Sequence, residues 1–230
     1  MCSSDLTLGR EGSDYTAALL AYFLDAESVT IWKDVAGVLN ADPKWFDDTE
    51  KLNHISYREA IELAYYGATV IHPKTIKPIQ NKKIPLFVRS FLSPENEGTL
   101  INTETTSDSL IPSFIFKVNQ MLISISPKDF SFIVEENLSH IFSIFAEHKV
   151  KINVMQNSAI NFSVSVDFDE RRVIPLLNAL SNEYSVKHND NLELVTIRHY
   201  DEATLSRVLA NKQVLMEQKT RNTARFVLRS

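Results

Sequence analysis

The chain has 230 residues, 44% of them hydrophobic and 23% charged, and a formal net charge of −5. These are the proportions of a soluble globular protein with room for one large domain or two to three small ones, and the acidic balance gives no reason to expect nucleic acid or an anionic membrane as partner. The longest apolar run, Ala17 to Leu24, is too short to span a bilayer, no secretory pattern opens the chain, and the single Cys2 leaves no disulfide framework, so the expected compartment is the cytoplasm.

Taken in order, Met1 to Leu6 shows no periodicity and runs into Thr7-Leu8-Gly9, which reads as a strand end. The expectation is a fragment whose residues 1–6 are not native. Gly9-Arg10-Glu11-Gly12-Ser13-Asp14 then precedes a helical pattern from Thr16 to Asp25. A loop of this kind aims unpaired N–H groups and the positive end of the helix dipole at whatever lies in front, which suits a carboxylate or phosphate. The plainer reading is a glycine turn with a Ser/Asp N-cap. Ser28 to Trp32 reads as a strand, Lys33 to Pro43 as a loop, and Ser56 to Tyr66 as an amphipathic helix. Ser56 and Glu59 form a capping-box pattern there, and Gly67 a stop. Val70-Ile71, a turn at His72-Pro73, a helix from Thr75 and the strand Ile84 to Phe91 follow. Such alternation predicts a parallel sheet with helices on its faces, and ligands outside the carboxyl ends of its strands.

All five glycines and both tryptophans lie before residue 100, so a second architecture is expected beyond a polar joint at Glu97 to Ser109. Phe114 to Val118 and Met121 to Ser126 read as a hairpin about Asn119-Gln120. A helix over Leu138 to His148, strands Lys151 to Met155 and Asn161 to Phe168, a helix Arg172 to Asn182 and a strand Leu192 to His199 come next. Leu122-Ile-Ser-Ile-Ser, Ile152-Asn-Val-Met-Gln and Asn161-Phe-Ser-Val-Ser recur as Leu194-Val-Thr-Ile-Arg, Val214-Leu-Met-Glu-Gln and Thr223-Ala-Arg-Phe-Val. That repeat predicts two βαββαβ units, the second shortened and borrowing a strand from the Phe114 segment.

The ordered motifs Gly9-Arg10-Glu11-Gly12-Ser13-Asp14, Ile31-Trp32-Lys33-Asp34-Val35, Ala41-Asp42-Pro43-Lys44, Ser56-Tyr57-Arg58-Glu59-Ala60, Tyr66-Gly67-Ala68-Thr69-Val70-Ile71-His72-Pro73 and Gly98-Thr99-Leu100-Ile101 together resemble the aspartokinase family, over Thr7 to Ser230. The resemblance implies an α/β chain. Residues 7–105 would be the carboxyl-terminal part of an amino-acid-kinase fold, a parallel-sheet αβα sandwich. Residues 110–230 would be two ferredoxin-like βαββαβ ACT regulatory domains, the first about 118–190 and the second about 191–230. The implied activity is phosphoryl transfer from ATP, with Mg²⁺, to the side-chain carboxylate of aspartate, the first step toward lysine, threonine and methionine. The family's Lys-containing Gly-rich motif is not in this sequence, so no catalytic residue is assigned and the chain alone is expected to be inactive.

By the same resemblance Arg10, Ser13 and Asp14 hold the substrate aspartate, Arg10 taking a carboxylate and Asp14 the α-ammonium. Lys33, Asp34, Leu39 and Lys44 fall at nucleotide positions. Lys33 stands where threonine is common, Leu39 where tyrosine is, Lys44 where arginine is, and Thr69 where some members carry a lysine. Lys44 keeps the charge without the planar fork. His72 is read as structural, and the scattered histidines show no metal-ligand spacing. Asn153, Gln156, Asn157 and Ser158 supply donors and acceptors suited to an effector amino acid, lysine or threonine, and Gln218 takes the place of Gln156 in the second repeat; a polar strand end is the plainer reading. A homodimer through the ACT domains is expected because a shortened copy leaves a sheet edge to cover. The alternative is a non-catalytic, amino-acid-binding regulatory subunit of an aspartokinase.

Overall fold

The computed structural model describes residues 12–46, 48–68 and 71–229. They divide into two compact units. One holds the described residues up to Ile115 together with Ile197–Asp201, the other Phe116–Thr196 and Glu202 onward.

The first unit contains α1 (Gly12–Leu24), β1 (Val29–Lys33), β2 (His54–Ser56), α2 (Tyr57–Tyr66), α3 (Pro73–Lys82), β3 (Leu86–Ser90) and β4 (Thr99–Asn102). Its sheet has the order β1-β3-β4-β2. Pairs β1/β3 and β2/β4 are parallel, as expected, and β3/β4 is antiparallel, so the sheet carries one antiparallel pairing. The reason is the short link over residues 91–98, below the dozen or so residues a parallel crossover needs. Gly98 makes the return possible: its φ is +71°, and a Cβ there would lie 2.1 Å from the Val88 carbonyl oxygen. Ile31, Ile55, Leu86, Val88 and Ile101 bury the sheet against Ile76 and Ile79 of α3 and Leu63 of α2. Each such side chain contributes about 1.5–3 kcal/mol of burial. Both ends of α2 form as their local signals predict, Ser56 Oγ accepting from the Glu59 N–H and the Gly67 N–H bonding back to Leu63. His72 caps α3, its Nδ1 accepting from the Lys74 N–H at 3.1 Å.

The second unit is built on a six-stranded sheet of order β6-β7-β5-β8-β10-β9. Its elements are β5 (Ser113–Pro127), α4 (Glu135–Glu147), β6 (Ile152–Asn157), β7 (Phe162–Asp167), α5 (Glu170–Glu183), β8 (Tyr184–Arg198), α6 (Glu202–Leu209), β9 (Gln213–Lys219) and β10 (Thr223–Arg229). The hairpin expected at Asn119-Gln120 does not form. A type I′ turn needs positive φ at both central residues, and only Asn119 has it, at 55°. The Asn119 carbonyl instead accepts from the Phe168 N–H, and the strand runs on. In β8 Asn191 shows the same conformation, with φ 52°. The order β6-β7-β5-β8 is that of one ferredoxin-like repeat, and β9-β10-β8-β5 reads identically for the other. Each long strand therefore opens one repeat and closes its sister, which is how a repeat lacking its own last strand completes its sheet.

Alternation along β5 places Ile123 and Ile125 in a core with Ile141, Phe145, Leu176 and Leu180 of α4 and α5. Leu122 joins the opposite cluster with Val154, Leu192, Leu194, Met216 and Val227. Both faces of this strand are buried.

Candidate functional site

The chain turns at Asp25, which has φ 49°, so that β1 runs back toward the start of α1. The carboxyl end of β1 thus meets the first turn of the helix, where the dipole favours negative charge. Asp14 sits in that turn and is 7% exposed. The Lys33 ammonium, from the last residue of β1, donates to Asp14 Oδ2 at 2.8 Å. A cation of the chain therefore occupies the carboxylate that the sequence assigned to the substrate's ammonium. Ser13 is exposed beside it, and its hydroxyl has no partner among the described residues. Arg10, like Thr69, lies outside the described residues.

Asp34 follows Lys33 and is exposed. The loop beyond is held from below. The Val38 N–H donates to Thr99 Oγ1 at 2.8 Å, and that hydroxyl donates to the Leu52 carbonyl at 2.6 Å. Gly37, at φ +148°, would place a Cβ 2.5 Å from the same oxygen. Leu39 is half-buried in a bridge to Lys51. Asp42 initiates a turn, its carboxylate accepting from the Lys44 N–H at 2.9 Å and its carbonyl from the Trp45 N–H at 2.9 Å. The Lys44 side chain projects into solvent. The structure thus brings Asp14 and Lys33 together, and shows no bond from Leu39 or Lys44 to that pair. A groove of about 450 Å³ between α1 and α3 is lined by none of the expected site residues.

In the second unit the expected effector residues separate. Asn153 is buried, whereas Gln156, Asn157 and Ser158 are exposed. Both ends of the Asn153 side-chain amide are engaged. Its Oδ1 accepts from Lys117 Nζ at 3.0 Å, and its Nδ2 donates to Gln120 Oε1 at 2.9 Å and Asp167 Oδ1 at 3.0 Å. Its carbonyl accepts from Arg225 at 2.8 Å. Ser165 also donates to Gln120 Oε1, at 3.2 Å. Burial pulls the Lys117 pKa below the ordinary lysine value; Asp167 opposes this, and Lys151 and Arg225 add to it. Sequence reading missed Lys117, Gln120, Asp167 and Arg225, since their partners are distant in sequence. The side chains of Gln156 and Asn157 make no hydrogen bond among the described residues. Ser158 closes a local turn onto the Asn161 carbonyl. Gln218, on β9, is likewise exposed.

One expectation in the first unit needs correction. Glu59 does not return its carboxylate to the Ser56 N–H as a capping box requires. Asp108 takes that N–H at 2.7 Å, and the Glu59 carboxylate instead binds Arg198, at 3.1 Å from Nε and 2.5 Å from Nη2. Burial works against the Arg198 charge, but hydrogen bonding and charge from Glu59, with Glu62 behind it, hold its pKa above the ordinary arginine value.

Residues 1–90 match the amino acid kinase family. Among curated proteins, lysine-sensitive aspartokinase 3 of Escherichia coli is 35% identical over 161 residues, which is 70% of this chain and 36% of that protein. A bifunctional aspartokinase/homoserine dehydrogenase of Buchnera aphidicola is 34% identical over 191 residues, 81% of this chain and 23% of its own. Among solved structures, E. coli aspartokinase III in complex with aspartate and ADP superposes with a TM-score of 0.77 at 29% identity, covering 96% of this chain and 53% of that one. Clostridium acetobutylicum aspartate kinase gives 0.82 at 23% identity, covering 94% and 54%. This chain spans about a third or less of these curated relatives and about half of the solved chains.

The fold is that of an amino acid kinase sheet followed by a ferredoxin-like pair. The chain belongs to the aspartokinase family.

Proposed function

We propose that this chain contributes the aspartate-binding edge and part of the nucleotide site of an aspartate kinase, together with an ACT pair that takes a feedback amino acid, lysine or threonine. The observation that carries the reading is the Asp14–Lys33 pair at the carboxyl end of β1, in front of the first turn of α1. An ammonium has three donors, and Asp14 accepts one of them from Lys33. The remaining donors, with the Ser13 hydroxyl and Arg10, suit the carboxylates of aspartate or the phosphates of ATP. Asp34 and Lys44 would contact the nucleotide, and Leu39 would pack on its base.

Phosphoryl transfer is driven by positioning and charge neutralisation. Mg²⁺ would arrive on the ATP phosphates, the usual mode for an ion that keeps several waters and needs only one or two carboxylates. The chain's own part is to orient the aspartate side chain and neutralise charge through Lys33. The 230-residue polypeptide alone is expected to show no turnover, because its sequence carries no Lys-containing Gly-rich motif. The exposed Gln156, Asn157 and Ser158 lie at the end of β6, an edge of the sheet. That edge is where a homodimer would pair and where the effector would bind. The single cysteine is in keeping with a cytoplasmic setting.

Calorimetric titration tests the reading. Aspartate and ATP with Mg²⁺ should each bind the polypeptide, and Lys33→Ala should weaken ATP at least tenfold, with Lys33→Arg restoring most of it. Unchanged binding in Lys33→Ala overturns it. A hydroxamate assay giving aspartate-dependent turnover would refute the expected inactivity.

A further inference from the structure

The first turn of α2 holds two chain segments that are far apart in sequence. Ser56, 2% exposed, gives its N–H to Asp108 Oδ1 at 2.7 Å and its hydroxyl to Asp108 Oδ2 at 2.6 Å. Glu59, 3% exposed, takes Arg198 Nη2 at 2.5 Å, with His199 Nε2 at 3.1 Å from the same oxygen. Glu62, one turn on, lies 3.8 Å from Arg198 Nη1. The two grips are joined, because the Glu59 N–H donates to Ser56 Oγ at 3.0 Å. Asp108 belongs to the stretch by which the chain leaves the first unit, and Arg198 and His199 to Ile197–Asp201, by which it returns. His199 sits at φ 52°, in the left-handed region that non-glycine residues seldom adopt.

The same two residues have a second, local way to satisfy each other. In a closed capping box the Glu59 carboxylate would accept the Ser56 N–H while Ser56 Oγ kept the Glu59 N–H. Closing the box requires Asp108 to give up that N–H and Glu59 to give up Arg198 and His199. The two arrangements exclude each other at the Ser56 N–H and the Glu59 carboxylate while the Ser56 hydroxyl keeps its bonds to the Glu59 N–H and Asp108, which is the form of a bistable element.

We propose that the first turn of α2 is a two-state latch. Open, as observed, it grips Asp108 and Arg198–His199 together; closed on itself as a capping box, it releases Arg198–His199 and at the same time leaves Asp108 on the Ser56 hydroxyl alone. The switch is all-or-none because the Ser56 amide and the Glu59 carboxylate are committed to the same choice. A ligand that displaces either segment loosens the other.

Hydrogen–deuterium exchange on the 230-residue chain tests this. Glu59→Gln keeps the ability to close the box, since glutamine serves at that position, but removes the charge holding Arg198. Exchange should rise at least about fivefold both at 197–201 and at 105–110, while the amides of α2 stay protected; fivefold is the lower end of ordinary coupling. Asp108→Asn should produce the same double loosening from the other side. If each variant loosens only its own segment, or if α2 frays with them, the latch is overturned. Should Glu59→Gln lose its cooperative melt, Asp108→Asn decides alone, on whether 197–201 opens with it.

Discussion

The carboxyl end of β1 and the interior of the second unit's sheet both gather charged and amide side chains, yet they do so with opposite economy. At β1, Lys33 meets Asp14 and keeps donors to spare beside a Ser13 hydroxyl that has no partner among the described residues. Around Asn153, Lys117, Gln120, Asp167, Ser165 and Arg225 bind one another, and the central amide has both its donors and its oxygen engaged. The difference separates a ligand site from a structural network more reliably than residue type does. A buried polar group fully met within the fold specifies packing, and one with capacity remaining at an opening is available to a ligand.

The comparison breaks first at Asn153. Asn153→Ala takes a partner from the buried Gln120 side-chain oxygen and from the partly buried Lys117 ammonium. The expected loss is about 2–4 kcal/mol in a urea melt with m unchanged. Amino-acid binding by the surviving fold should change little. A near-neutral melt would show that the network is wet and open, and the contrast with β1 would fall.

Asp14→Asn comes next. The pair is only partly buried, so stability should drop by about 1 kcal/mol or less. Lys33 then loses its anchor, and aspartate affinity by calorimetry should fall about tenfold, since a placed ammonium becomes a mobile one. A large stability loss with unaltered affinity would move Asp14 and Lys33 into the structural class.

Lys117 gives a pH signature for the closed cluster. Its folded pKa is lowered by burial, so just below the ordinary lysine value the unfolded chain binds more protons than the folded one. Stability should therefore rise with pH as it climbs through the folded pKa toward 10.5, and level off above. In Lys117→Met that slope should vanish. A slope that persists in the variant assigns it to another group.

What could be read from sequence follows how local each signal is. Ser56, Gly67 and His72-Pro73 act on amides within a turn, and α2 and α3 form between them. The strand Thr99-Leu-Ile-Asn is four residues long, sits within a polar stretch and was read as linker. Asn119 was read as a hairpin because a left-handed asparagine marks a type I′ turn and an irregular strand equally well. The first half of β8, Tyr184-Ser-Val-Lys-His-Asn-Asp, is mostly exposed and polar, and only its neighbours in the sheet make it a strand. At the sites, Glu59 three residues after Ser56 predicts a box, and the competing partner stands 139 residues away. The Asp14–Lys33 contact escaped for a related reason. Each residue suits a ligand by its motif, and no local pattern links Asp14 to a lysine 19 positions away.

The smallest effect on stability, and the sharpest test of the contrast, belongs to Gln156 and Asn157. Both side chains lie exposed on the edge strand β6, two and three residues beyond the buried pair Asn153–Val154. Replacing both with alanine removes no hydrogen bond of the described fold, so the melt should shift by no more than about 0.5 kcal/mol. Their spare donors and acceptors are what an amino acid's ammonium and carboxylate would need. Titration with lysine and with threonine should therefore show at least one of them binding the parent chain and losing about tenfold or more in the double variant. Equal binding in both chains would leave β6 an ordinary polar edge and confine available polar groups to the carboxyl end of β1.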